Sequence, residues 1–311
     1  MQRLYGYATS LLAYNVSTSY FAFMNKLLRL FPFLLLMSFV QSDKPAYLLY
    51  DKKGATANYA DLLSAAENAD VVFFGEMHDN PICHWLQLQL TKDLYNSKKN
   101  DLILAAEMFE ADDQLVLNEY VGGLIKESNF EKEAKLWNNY ATDYKPLVNF
   151  ARQNGLQFIA TNIPRRYASM VATGGMASLE KLDKEAQRYI APLPVEVDME
   201  LPGYKAMIGM MGGAHGGGAE NMVNAQAIKD ATMGYRISEQ AKNGKVILHF
   251  NGTYHTDNFE GIAWYLRKYN KKLKVVTISS LAQEDISSLS AESKGIADFV
   301  ICIPKDMTKT Y

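Results

Sequence analysis

The chain has 311 residues, of which 48% are hydrophobic, 21% charged and 12% aromatic. That composition excludes wholesale disorder, collagen-like repeats and a long coiled coil, and the length is enough for a sizeable core. With 32 basic and 34 acidic side chains the formal charge is −2, so no basic excess argues for nucleic acid. Two cysteines, Cys83 and Cys302, are too few for a disulfide framework or a cysteine zinc site and are expected to be separate buried thiols.

In chain order, the first 42 residues read as an upstream extension and a secretory signal peptide. Lys26 and Arg29 form a basic start after Met24. Leu30 to Val40 is an apolar run too short to span a bilayer, and Val40 and Ser42 are small enough to precede cleavage before Asp43. No cysteine stands near that point, so the expected protein is exported to the periplasm or envelope without a lipid anchor.

Next come six short, continuously apolar runs: Val71–Phe74, Leu102–Ala105, Leu156–Ala160, Val246–Phe250, Leu273–Ile278 and Phe299–Ile303. Runs of this kind suit strands covered on both faces, and the segments between are long enough for crossover helices. They predict an α/β fold with a mainly parallel central sheet flanked by helices. Tyr47–Tyr50 and Gly54–Thr56 suit an edge hairpin. Residues 165–235 read differently. Proline breaks them into short helices, and eight of the 14 methionines fall there. A smaller all-helical subdomain is expected at 165–235, inserted into an α/β domain made of 43–164 and 236–311.

In an open α/β sheet the ligand site lies beyond the carboxyl ends of the strands. Polar residues stand at four of those ends, so Glu76, His78, Glu107, Asn162 and His255 are expected to share one crevice. Two of the turns match: Gly75-Glu76-Met77-His78 and Gly252-Thr253-Tyr254-His255. Asn80 is expected to cap the helix that opens with Pro81. Asp257 or Asn258 is expected to cap a second helix carrying Phe259, Ile262, Ala263 and Leu266. A histidine beside a helix N-terminus has its pKa lowered, so two neutral imidazoles are expected there. With Glu76 and Glu107 they suit acid–base work or a divalent metal such as Zn, Mn or Fe.

In the insert, Tyr204, Lys205 and His215 stand among methionines and glycines. Tyrosinate is an axial ligand for ferric haem, lysine and histidine neutralise propionates, and methionine offers soft apolar surface. Tyr140, Tyr144 and Tyr167 are rival ligands. A helix from Ala219 to Asn243, closed by Gly244, would place Met222, Gln226, Asp230, Met233 and Ile237 on one face. Half-buried Gln226 and Asp230 then need partners, with Arg165, Arg166 or His255 available. His84, Asn162 and Arg165 are expected around the crevice, and His249 is expected to be a satisfied core histidine.

The paired turns GEMHDNP and NGTYHTDN, with EMFE between them, resemble the ChaN family, in the wider group of Tiki, TraB and erythromycin esterase proteins. DYKPL at 143–147, TNIPRR at 161–166, PGYKAM at 202–207 and QAIKDATM at 226–233 extend the resemblance over most of 46–303. It implies a large α/β domain with a smaller helical subdomain, and haem bound at a homodimer contact. It also implies a role in haem or iron acquisition, with an outer-membrane haem receptor as partner. The Tiki and esterase branches imply the alternative, a metal-dependent hydrolase using Glu76, His78, Glu107 and His255.

Overall fold

Alternation along the central strands explains the layering. In β3 (Val71–Glu76), Val72 and Phe74 point into one core with Leu104, Leu248 and Phe250, while Val71 and Phe73 point into another with Ile103, Ala105 and Ile247. Both faces are therefore covered, which is why the run is apolar throughout. Phe73 and Phe74 are almost fully buried; truncating either to alanine would cost about 3–5 kcal/mol.

The computed structural model describes residues 43–210, 217–242 and 244–311, and the fold is that of Ala46–Tyr311. The strands are β1 (Leu48–Asp51), β2 (Thr56–Ala57), β3, β4 (Leu102–Glu110), β5 (Gln157–Asn162), β6 (Val246–Gly252), β7 (Val275–Gln283) and β8 (Phe299–Pro304). They form one eight-stranded sheet in the order β2-β1-β8-β7-β3-β6-β4-β5. Pairing from β8 across to β5 is parallel, and β1 joins β2 and β8 antiparallel. The expected α/β sheet and edge hairpin are both present. Most of the six apolar runs prove to be the first part of a longer strand, because polar residues at the carboxyl ends still pair in the ladder.

β6 lies between β3 and β4, which places Gly252 opposite Glu76 and Phe250 opposite Ala106. Beyond Ala106 the β4–β5 register shifts, resuming at Glu110 opposite Asn162. Such irregularities re-aim side chains, and Glu107 stands within this one.

The helices that position the site are α1 (Pro81–Lys98), α2 (Lys145–Asn154), α3 (Arg165–Gly174), α4 (Pro202–Met210), α5 (Gly217–Gln240) and α6 (Gly261–Tyr269). Asn80 caps α1 as expected, its Oδ1 accepting from the Ile82 amide at 3.0 Å. Helices α3 and α5 and the turns between them share an apolar cluster around Tyr167, Val171, Leu179, Val223 and Ile228. The carboxyl half of α5 packs on the sheet through Met233 and Ile237. Its expected stripe is thus real but graded. Met222 is 44% exposed, whereas Asp230, Met233 and Ile237 are buried. The helix ends before Asn243, which lies outside the described residues, and Gly244 has φ +73.

The helix after the second histidine turn differs from expectation. It starts at Gly261 with Glu260 at its cap position, and neither Asp257 nor Asn258 caps it. Asn258 and Phe259 have φ +58 and +61, so Phe259 is outside the helix. The cause is a tight reversal. The Gly261 backbone, at φ +51, passes so close to the His255 carbonyl that an added Cβ would stand 2.3 Å from its oxygen.

Candidate functional site

Glu76, at the end of β3, is 1% exposed and accepts from three side chains. Tyr144 Oη donates to Oε1 at 2.6 Å, His78 Nδ1 lies 2.8 Å from the same oxygen, and Gln87 Nε2 donates to Oε2. The carboxylate is a buried anchor whose acceptors are filled. Nδ1 is held, and Nε2 of His78 points toward Gly252. A Cβ on Gly252 would stand 2.7 Å from that nitrogen and 3.8 Å from Glu107 Oε2. Only glycine leaves room for both. The Trp137 ring meets the His78 ring edge-on, 5.0 Å between centroids.

The second turn is built otherwise. His255 Nε2 lies 3.1 Å from Glu107 Oε1, and Nδ1 lies 2.5 Å from Asp230 Oδ1. The Gln226 amide is 2.9 Å from Nδ1. Glu107 also accepts from the Gly252 amide at 2.9 Å, and Asp230 accepts from Tyr204 Oη at 3.2 Å. His255, Glu107 and Asp230 are all buried. Of the partners considered for Gln226 and Asp230, His255 is the one found.

These contacts set the charges. Burial alone would lower the His255 pKa, but the two carboxylates outweigh it and raise the value to about 10. Burial opposes ionisation of Glu107 as well; the cationic His255 and its hydrogen bond outweigh that and hold the carboxyl at about 2. Burial pushes Asp230 upward, partly offset by His255. One cation thus serves two carboxylates, and Glu107 keeps the negative charge. For His78, burial lowers the pKa, but the Glu76 hydrogen bond and the Glu107 charge raise it above the ordinary histidine value. The expected neutral pair is therefore overturned. Carboxylates in direct contact with His255, which sits in the single turn Thr253–His255, dominate over the helix start at Gly261.

A family model described as haem-binding uptake, Tiki superfamily, ChaN matches residues 62–266. The chain belongs to the ChaN family. Among solved structures, ChaN of Campylobacter jejuni, described with cofacial haem binding, is similar at TM-score 0.62 and 19% identity, covering 82% of this chain and 96% of that one. A mutant erythromycin esterase EreC in its open conformation is similar at TM-score 0.48 and 11% identity, covering 79% and 93%. A Bacillus cereus protein is similar at TM-score 0.46 and 14% identity, covering 80% and 92%. No curated protein sequence matches the chain.

Within this ChaN fold the expected site residues fall into two groups. Glu76, His78, Glu107 and His255 converge. His84 joins them from α1, with Nδ1 3.2 Å from Gln87 Oε1 and Nε2 3.0 Å from the His78 carbonyl. Asn162 does not reach the histidines; it stands on the outer strand β5, its Oδ1 buried without a partner. Arg165 is exposed at the start of α3. Tyr204 is 3% exposed, with its hydroxyl turned inward to Asp230. Exposed Lys205 pairs with Glu200 at 2.5 Å. His215 lies outside the described residues. No three His, Cys, Asp or Glu side chains among the described residues are grouped as a metal site, and both ring nitrogens of His255 already face carboxylates.

Tyr144, Gln87, Asn139 and Asp143 complete the network around His78. Asn139 Nδ2 donates to the His78 carbonyl at 3.0 Å and to Asp143 Oδ2 at 2.8 Å. Gln87 had a sequence signal, standing one helical turn after His84; Asn139 had none. His249 is the core histidine expected, held by Thr161 and Asn251, with its pKa lowered by burial to about 4.

Proposed function

We propose that this ChaN-family chain binds haem at the mouth of the histidine crevice, on the side of the helical insert. One observation beyond the family supports the reading. Met222 (44% exposed) and Tyr254 (40%) are large apolar side chains left open to solvent beside that mouth. Tyr254 adjoins His255 and donates to the Gly203 carbonyl at 2.7 Å, and Met222 stands one turn before Gln226 on α5. A flat porphyrin would cover this surface, and a phenolate is the ligand that ferric haem takes. Tyr254 offers an accessible phenol. Tyr204 would have to leave Asp230 first. Haemin titration of protein starting at Asp43 should give a saturable Soret shift. Tyr254→Phe should alter the charge-transfer band more than Tyr204→Phe. Absence of saturable haem binding by monomer or dimer would end the reading. Export, a homodimer and delivery between haem acquisition partners go with this proposal. N-terminal sequencing of exported protein should start at or near Asp43, and haem should promote dimerisation.

A second reading is hydrolysis, favoured by His78. Its ring is fixed through Nδ1 by Glu76, and Nε2 faces the crevice beside a cationic imidazole. Such a histidine accepts a proton from water while the fixed positive charge stabilises a developing oxyanion. Loss of ester hydrolysis in His78→Gln, with haem binding unchanged, would support it. Elemental analysis of untreated protein would show whether a divalent metal takes part.

A further inference from the structure

A second cleft, of about 510 Å³, opens at the same edge of the sheet, lined by Glu110, Lys135, Leu136, Arg165, Arg166 and Ser169. It adjoins the histidine crevice, since Leu136 precedes the Trp137 that packs on His78 and Glu110 ends the strand that carries Glu107. Its three cations are not equivalent. Lys135 Nζ is committed to Asp112 at 2.8 Å, Asp113 at 3.0 Å and Glu110 at 3.4 Å. Arg166 pairs with Asp112 at 2.6 Å, donates to Tyr167 Oη at 3.1 Å and lies over that ring. Burial works against ionised Asp112, but the hydrogen bonds from Lys135 and Arg166 outweigh it and lower its pKa. Arg165 has no ion pair or side-chain hydrogen bond among the described residues. It sits at the start of the ten-residue helix α3, whose cap position is Pro164, and no side chain caps that end.

We infer that this cleft is an anion subsite, which takes the carboxylate or phosphate of a small ligand on Arg165. Arg166 and Lys135 are a fixed frame, neutralised by their own acids, and the planar fork of Arg165 is left to grip two oxygens. The uncapped start of α3 adds favourable partial charge. A ligand held here extends toward His78 along Leu136 and Trp137.

The test is calorimetric titration at low salt with inorganic phosphate and with succinate, on wild type, Arg165→Gln and a control, Lys271→Gln, at the opposite end of the sheet. Saturable binding of at least one probe is expected, weakened about tenfold or more in Arg165→Gln and unchanged in the control, as for loss of one charge-assisted contact. A haemin arm identifies the source of the anion. If Arg165→Gln weakens haemin but not haemin dimethyl ester, the subsite takes a propionate. If it weakens only phosphate or succinate, the subsite serves a free anion, and the result stands whether or not haem binds. No saturable binding of either probe up to about 10 mM, a Kd that gives only about −2.7 kcal/mol, would overturn the proposal. So would equal affinity in wild type and Arg165→Gln.

Discussion

The two histidine turns read almost identically in sequence and do opposite things in the fold. His255 is buried with a carboxylate on each ring nitrogen. His78 has a side chain 34% exposed, one nitrogen held by Glu76 and the other turned toward Gly252. A G-x-x-H turn fixes where an imidazole stands; its neighbours decide whether it is locked between two carboxylates as a cation or keeps one ring nitrogen without a carboxylate partner. Those neighbours come from β4 and α5 for His255, far away in the chain.

The comparison can be broken most sharply at His255. His255→Ala leaves Glu107 and Asp230 buried without their shared cation, and should destabilise the fold by about 3–5 kcal/mol in urea unfolding. A loss below about 1 kcal/mol would show that the clamp is not structural. Gly261→Ala should cost about 2 kcal/mol or more, because alanine at φ +51 is strained and its Cβ would overlap the His255 carbonyl. An unchanged unfolding midpoint would contradict the tight reversal.

The pH dependence sharpens the same contrast. With its folded pKa raised to about 10, His255 contributes stability that is full below the ordinary 6.5 and is lost as pH rises through about 10. Glu107, lowered to about 2, contributes stability that is full above the ordinary 4.5 and is lost as pH falls through about 2. These are two sides of one ion pair and do not add. Urea midpoints against pH should therefore be level between about 4.5 and 6.5, decline progressively from 6.5 to about 10, and decline again below 4.5. A flat profile up to pH 10 would remove the cationic clamp. The smallest effect belongs to His78. His78→Gln should change stability by less than about 1 kcal/mol, since half-exposed pairs are worth little. In NMR titrations the His78 ring should titrate above 6.5, and Glu76→Gln should lower that value.

Local pattern made much of this legible. The six apolar runs marked the strands because a sheet covered on both faces leaves no polar alternation. Strand ends alone indicated the convergence of Glu76, His78, Glu107 and His255, but the same argument placed Asn162 with them, and it stands apart on β5. Asp230 was visible as a polar residue on an apolar helix face. Charge state was not legible, because it depends on which carboxylate meets which nitrogen across the sheet. The Phe259 reversal was hidden too, since Gly261 reads as an ordinary helix start until its carbonyl neighbour is known. Tyr204 looked like a haem ligand among methionines, but its hydroxyl is the donor that buried Asp230 requires.

The slot that β6 fills has a consequence for how the molecule is made. A ribosome delivers β3, β4 and β5 well before β6, so the two strands that flank the crevice wait with unpaired inner edges while the helical insert is synthesised. The contact from Gly252 to Glu107 closes a separation of 145 positions. Pairings of such long range form slowly, and open strand edges invite association with other chains. The crevice accordingly cannot assemble until β6 is delivered, with β7 and β8 completing the far side of the sheet later still, and a nascent chain stalled before Val246 holds β3 and β4 with those edges open.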